Sequence, residues 1–270
     1  MLKPRNIPNA DRLSVLAATI LLAYALARFI NLPARDFSVQ LPGIFLDFQI
    51  NIKTFVTLLV AGLTATGADW LLRDHPALGK RNTIEHWLLP ALTAWTISLP
   101  LFQLPLGLLW WGGFVLGGGM LVLVLVAEYI VVDPDDVRQP PAAAGLTAVS
   151  FALYLVMAVG LRYAGMRLFL ILPALSLSAG LICLRTLRLR LHGRWAFFQS
   201  AVVALLVGQL VAALHYWALS PVSYALALLG PAYALTSLIA SLEESEPLHQ
   251  AVIEPGIVLI LVWSAAFWIR

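Results

Sequence analysis

Between Leu106 and Val132 the chain reads LGLLWWGGFVLGGGMLVLVLVAEYIVV, with no ionisable residue before Glu128, and then meets Asp133-Pro134-Asp135-Asp136. As a helix rising about 1.5 Å per residue, such a run crosses the roughly 30 Å hydrocarbon core of a bilayer. The rest of the chain leaves no other solvent for it. Side chains are 61% hydrophobic and 11% charged, against the roughly 25% charged that a soluble domain carries. The expected fold is therefore all-α: a polytopic transmembrane helical bundle, one integral membrane domain over residues 1–270.

Apolar runs of span length give about nine helices, at 13–31, 52–72, 87–103, 107–132, 143–161, 167–185, 195–219, 222–241 and 252–269. With the N-terminus in the cytoplasm, Lys3, Arg5, Arg12, Arg73, Lys80, Arg81, Arg138, Arg185, Arg188, Arg190 and Arg194 fall inside, and Arg28, Arg35, Lys53, Arg162, Arg167 and Arg270 outside. That excess of inner cations predicts a multi-pass protein of the cell membrane, N-terminus in and C-terminus out. The basic N-terminus and Ala25-Leu26-Ala27 also fit a cleaved secretory signal. Because the apolar run continues through Phe29 and Ile30, a retained first span is expected. The net charge of +3 is spread over short loops, which argues against nucleic acid as a partner.

Outside the first span, FSVQLPGIFLDFQINI (37–52) alternates apolar and polar residues on both sides of Pro42-Gly43. Period two around a Pro-Gly turn predicts a small outer β-hairpin. Two halves, 1–132 and 143–243, also share an order of landmarks, with a last helix at 252–269 appended. Each half has an Arg closing its first span (Arg28, Arg162), an inner loop ending at Trp (Trp87, Trp195), an outer Pro (Pro105, Pro221) and a final Glu (Glu128, Glu243). This order predicts a four-plus-four helix repeat.

An ionisable group inside a span costs about 2.5–3.5 kcal/mol at mid-membrane, so each one is a candidate site. Asp69 follows Gly62 and Thr66 on one face and stands four residues before Arg73, as a face for a neighbouring helix or an ion pair would require. Glu128 shares a face with Gly113, Gly117 and Val124, so it should point into the bundle or end the span at water. Glu254, just before Pro255-Gly256, is placed to cap the last helix. If Asp69, Glu128 and Glu254 converge they would form a cation or proton site. His215 continues a Ser200, Ala204, Gly208, Ala212 face and is an interfacial or proton-handling candidate. Gly117, Gly118, Gly230 and Pro231 interrupt matching spans and are candidate helix breaks around a midplane site.

No Walker loop, His-Glu-x-x-His, Gly-x-Ser-x-Gly or dinucleotide fingerprint is present, so no catalytic residue is assigned. Cys183 is the only cysteine and the histidines lack ligand spacing, so no metal or cofactor is expected. The stretches LVAGLTATGADWLLRDHP, LVAEYIVVDP and LLGPAYALTSL resemble an uncharacterised family of bacterial multi-pass membrane proteins, carried as a domain of unknown function. The resemblance implies a bacterial membrane protein and transfers no functional residue. Two functions are left in play. One is a non-enzymatic scaffold or accessory subunit, whose partners are the lipid bilayer and a membrane protein or second copy. The other is a small-solute or proton-coupled transporter.

Overall fold

The computed structural model describes residues 7–29, 35–41, 44–50, 52–79, 82–191 and 193–269, and of these only the backbone of 35–41, 44–50 and 52–54. Nine α-helices lie among the described residues: α1 (Ala10–Phe29), α2 (Ile52–Leu72), α3 (Leu88–Gln103), α4 (Leu108–Val131), α5 (Gln139–Tyr163), α6 (Leu168–Arg190), α7 (Phe197–His215), α8 (Pro221–Glu243) and α9 (Leu248–Trp268). Eight of them are long and apolar enough to cross a membrane. The exception, α3, has 16 residues and is about 24 Å long. A 3₁₀ turn, Ile84–His86, precedes it.

Local chemistry sets several of these limits. Ser220 caps α8, its Oγ accepting from the Ser223 N–H at 3.1 Å, with Pro221 in the first turn, where its missing donor costs nothing. The chain leaves α6 through Gly193, at φ 88°, whose N–H closes on the Arg188 carbonyl at 3.0 Å. Two strands, β1 (Arg35–Leu41) and β2 (Ile44–Ile50), pair antiparallel between α1 and α2, with Phe37 opposite Phe48 and Val39 opposite Leu46. The expected turn residues Pro42 and Gly43, and the side chains of the expected apolar face, lie outside the described residues.

The chain divides into two compact units, Met1–Gln139 and Pro140–Arg270. In the first, α3 is the inner element: Leu89, Leu92, Thr93, Ala94, Thr96, Ile97, Ser98 and Leu101 are all buried, so its shortness leaves little backbone facing outwards. The Tyr24 hydroxyl of α1 donates to the Ala94 carbonyl at 2.5 Å, and Trp110 Nε1 of α4 to the Leu101 carbonyl at 3.0 Å. Arg28 closes the far end by donating to the Phe102 and Leu104 carbonyls, at 3.4 and 3.1 Å. These are the carbonyls a helix end leaves without partners.

In the second unit α6 and α7 meet along small residues. A Cβ on Gly180 would reach the Ala204 Cβ at 2.9 Å, and one on Gly208 the Ser176 Cβ at 3.2 Å. Arg162, at the end of α5, donates to the His215 and Trp217 carbonyls at 2.7 and 3.0 Å, and lies 4.9 Å over the Tyr224 ring. Each unit thus uses an Arg at the end of its first helix to hold two carbonyls at the end of its third.

The candidate breaks are not breaks. α4 is continuous through Gly117 and Gly118, and α8 through Gly230 and Pro231. Close packing explains the glycines: a Cβ on Gly117 would lie 2.6 Å from Ile97 Cγ2, and one on Gly118 2.9 Å from Leu21 Cδ1. Pro231 has no N–H for the Ala227 carbonyl one turn back. Trp263 of α9 supplies the donor instead, its Nε1 at 3.2 Å, and the bare Gly230 lets its ring approach.

Candidate functional site

In the first unit, α2 and α4 both bring a carboxylate to the end where residues 83–87 turn into α3. Asp69 of α2 accepts from Arg73 Nε at 2.7 Å and from the Thr83 hydroxyl, and Thr83 in turn accepts from Trp87 Nε1 at 3.1 Å. The ion pair expected from the four-residue spacing is therefore present, but the Gly62–Thr66 face is not a helix seam. A Cβ on Gly62 would meet nothing within 4 Å, and Thr66 bonds back to its own helix. The close approach is one turn on, where Gly67 faces Leu16.

Glu128 lies deeper. The face it shares with Gly113, Gly117 and Val124 packs on α3, with Gly113 beside Leu101 and Leu104 and Gly117 beside Ile97. One turn from its end that face carries Glu128 to His86, whose Nδ1 stands 2.6 Å from Oε2. The two side chains are 1% and 5% exposed, so this is a paired carboxylate in an apolar interior. On the other side of the ring, His86 Nε2 faces Glu85 Oε1 at 3.3 Å, and Glu85 is 19% exposed. An imidazole therefore bridges a partly exposed carboxylate and a buried one. His86 and Glu128 are 42 positions apart, and no periodicity could have joined them. The one usable hint was the glycine face that turns Glu128 inward.

His75 and the 133–138 loop flank this cluster. The His75 ring is buried, packs edge-on to Tyr129 at 4.5 Å, and accepts the Ala77 N–H on Nδ1 at 3.1 Å. Burial pushes its pKa below the ordinary 6.5, against the pull of Asp133 and Asp136 and with help from His86. Asp136 accepts from the Arg138 guanidinium at 2.7 and 3.1 Å and from its backbone N–H at 2.8 Å, which holds its carboxyl down at about 2.

The other two candidates belong to the second unit and to different ends of α8. Glu254 is not a helix cap. α9 begins at Leu248 after Pro247, which places Pro255 inside the helix and Glu254 almost two turns from its start. Its carboxylate accepts from Tyr233 at 2.5 Å and from Ser237 at 2.8 Å, tying α9 to α8. His215 is the last residue of α7, beside the start of α8, with its carbonyl held by Arg162 and its ring edge-on to Tyr216. Glu243 and Glu244, at the end of α8, engage Gln199 at 2.7 Å and Arg190 at 3.1 Å. A cavity of about 500 Å³ opens beside Ala144, Phe151, Arg190 and Tyr233. Among the described residues no group of three or more metal-ligating side chains is found.

Nine helices among the described residues, eight of them long and apolar enough to span a bilayer, define a polytopic helical bundle of the membrane-spanning class. The chain belongs to the family described as a protein of unknown function (DUF5656), whose profile matches residues 32–269. Neither the curated proteins nor the solved structures yield a match.

Proposed function

We propose that this protein is a non-enzymatic scaffold or accessory subunit of the cell membrane, with its N-terminus in the cytoplasm and its C-terminus outside. The observation that carries the reading is the use made of the positions best placed for a midplane ligand site. Gly117, Gly118, Gly230 and Pro231 accommodate Ile97, Leu21 and Trp263, so helix packing occupies them. Counting α3 as a span is supported by its 3₁₀ turn, which at about 2 Å per residue extends the element to about 30 Å. Lipid surrounds the bundle, and a membrane protein or a second copy is the partner. Crosslinking in native membranes should recover a stable complex; recovery of monomer alone would remove the main support.

The matching clamps of Arg28 and Arg162 support a further part of the reading, that α1–α4 and α5–α8 are copies of one four-helix unit with α9 appended. A second function, proton-coupled transport, is favoured by one observation, the carboxylate–imidazole–carboxylate array at Glu85, His86 and Glu128. In proteoliposomes, Asp69→Asn and Glu128→Gln should then each alter flux, and unchanged flux in both would count against it.

A further inference from the structure

From a cavity in the second unit we infer a phospholipid-binding site, in which one acyl chain lies between α5, α6 and α8 and the phosphate meets Arg190. The inference rests on the reading that lipid surrounds the bundle, and it holds or fails whether or not a protein partner is found.

The cavity holds about 500 Å³, a size common to small-molecule sites. Its wall on α5 is one helix face, because Pro140, Ala143, Ala144, Thr147, Ala148 and Phe151 recur at steps of three and four. The eleven positions from Pro140 to Phe151, at about 1.5 Å each, make that wall about 16 Å long. One leaflet's share of the roughly 30 Å hydrocarbon core is close to the same length. Polarity changes along it. At one end α5 begins and α6 stops, with Leu189 and Arg190 as the α6 contribution. At the other end the Phe151 and Tyr233 rings meet edge-on at 5.1 Å. Between them the alanines offer only methyl groups, and the Thr147 hydroxyl donates back to the Ala143 carbonyl at 3.0 Å. The Tyr233 hydroxyl donates to Glu254 at 2.5 Å, so neither lining hydroxyl waits for a polar ligand.

A charged group at a helix end, with an apolar cleft running inwards for the depth of one leaflet, fits a molecule with a phosphate head and a hydrocarbon tail. Arg190 donates to Glu244 from Nε and Nη2, at 3.1 and 3.2 Å, and among the described residues its Nη1 has no acceptor. The two N–H groups on Nη1 suit a phosphate oxygen. Because Glu244 neutralises the pair, a zwitterionic head serves as well as an anionic one. A chain gains little by leaving bulk lipid, which is equally apolar. It fills the cleft because an empty one forfeits dispersion contacts, and preference among lipids falls to Arg190.

The test places the full-length protein in phosphatidylcholine vesicles with one of two trace probes, each carrying a photoactivatable group midway along an acyl chain. One probe is a phosphatidylcholine; the other is a diacylglycerol, which lacks the phosphate. Labelled residues are mapped by mass spectrometry, and the exposed Leu205 of α7 and Ile260 of α9 report the surrounding lipid. Relative to those two positions, phosphatidylcholine should label 143–151 at least about tenfold better than diacylglycerol, the factor one hydrogen bond to a charged group supplies. Arg190→Gln should bring that ratio to about one. Ala148→Phe and Ala144→Trp, both at exposed alanines, should fill the cleft and remove the label from 143–151. Unchanged labelling of Leu205 shows that these variants keep their fold. A wild-type ratio of one, a ratio that survives Arg190→Gln, or a label that survives both filled-cleft variants overturns the site. If Leu205 and Ile260 are labelled and 143–151 is not, the site falls and the membrane reading stands. If none of them is labelled, the membrane reading falls and the site with it.

Discussion

The contact of Trp263 with Ala227 allows a test in which one substitution should cancel the effect of another. Within α8, Pro231 leaves the Ala227 carbonyl without its usual intrahelical donor, and the indole N–H of Trp263 replaces it at 3.2 Å. Trp263→Phe keeps an aromatic ring and removes the donor. An unsatisfied carbonyl costs about 1–3 kcal/mol, and hydrogen bonds between membrane helices measured by double-mutant cycles average about 0.6 kcal/mol and reach about 1.7. A coupling of about 1 kcal/mol is therefore expected. Pro231→Ala restores an N–H at the correct position, after which the helix satisfies Ala227 itself. In that background Trp263→Phe should cost only its lost packing. Unfolding can be followed by the reactivity of Cys183, the only cysteine and a buried one, with a thiol dye. The single variant should lower the midpoint by a few degrees, as about 1 kcal/mol does for a chain of this size, and the loss should shrink when Pro231 is also replaced. Equal losses in both backgrounds would show that Trp263 acts by packing alone and would refute the argument.

Gly117→Ala forces a Cβ to 2.6 Å from Ile97 and should cost about 1–3 kcal/mol in equilibrium unfolding, whereas Gly119→Ala, with nothing within 4 Å, should be neutral or stabilising by up to about 1 kcal/mol. Arg28→Lys cannot span two carbonyls with a rigid fork, so hydrogen exchange should rise around 102–107; Arg162→Lys should do the same around 215–219, and unchanged exchange would rule the clamps out as restraints. His75 has a folded pKa below its ordinary 6.5, so its contribution is complete above pH 6.5 and declines as pH falls towards the lowered folded value. Denaturation of the wild type at a series of pH values should show that decline, and His75→Gln should flatten it. Asp136 acts in a separate, more acidic window: its contribution is complete above its ordinary 3.8 and is lost as pH falls through about 2.

Helix number and approximate limits were legible because length and hydropathy are properties of contiguous residues. For Glu128 the sequence left two directions open, into the bundle or to water at the end of the span, and the side chain is buried. Glu254 was misread because Pro255 suggested a first helical turn, when the helix already begins after Pro247. The interruption expected at Pro231 failed because its compensating donor stands 32 positions further on, in Trp263. For the same reason His86 was passed over: the residues that complete a polar site are set by tertiary proximity, and neither spacing nor composition encodes that.

The short loop segment carrying Thr83 and His86 also bears on how the protein is made. Asp69 emerges before Arg73 and Thr83, but only 4 and 14 positions before them. Glu128 emerges 42 positions after His86. A chain synthesised from its N-terminus thus has His86 in place before Glu128, a carboxylate that would be costly to leave unpaired in lipid, is made.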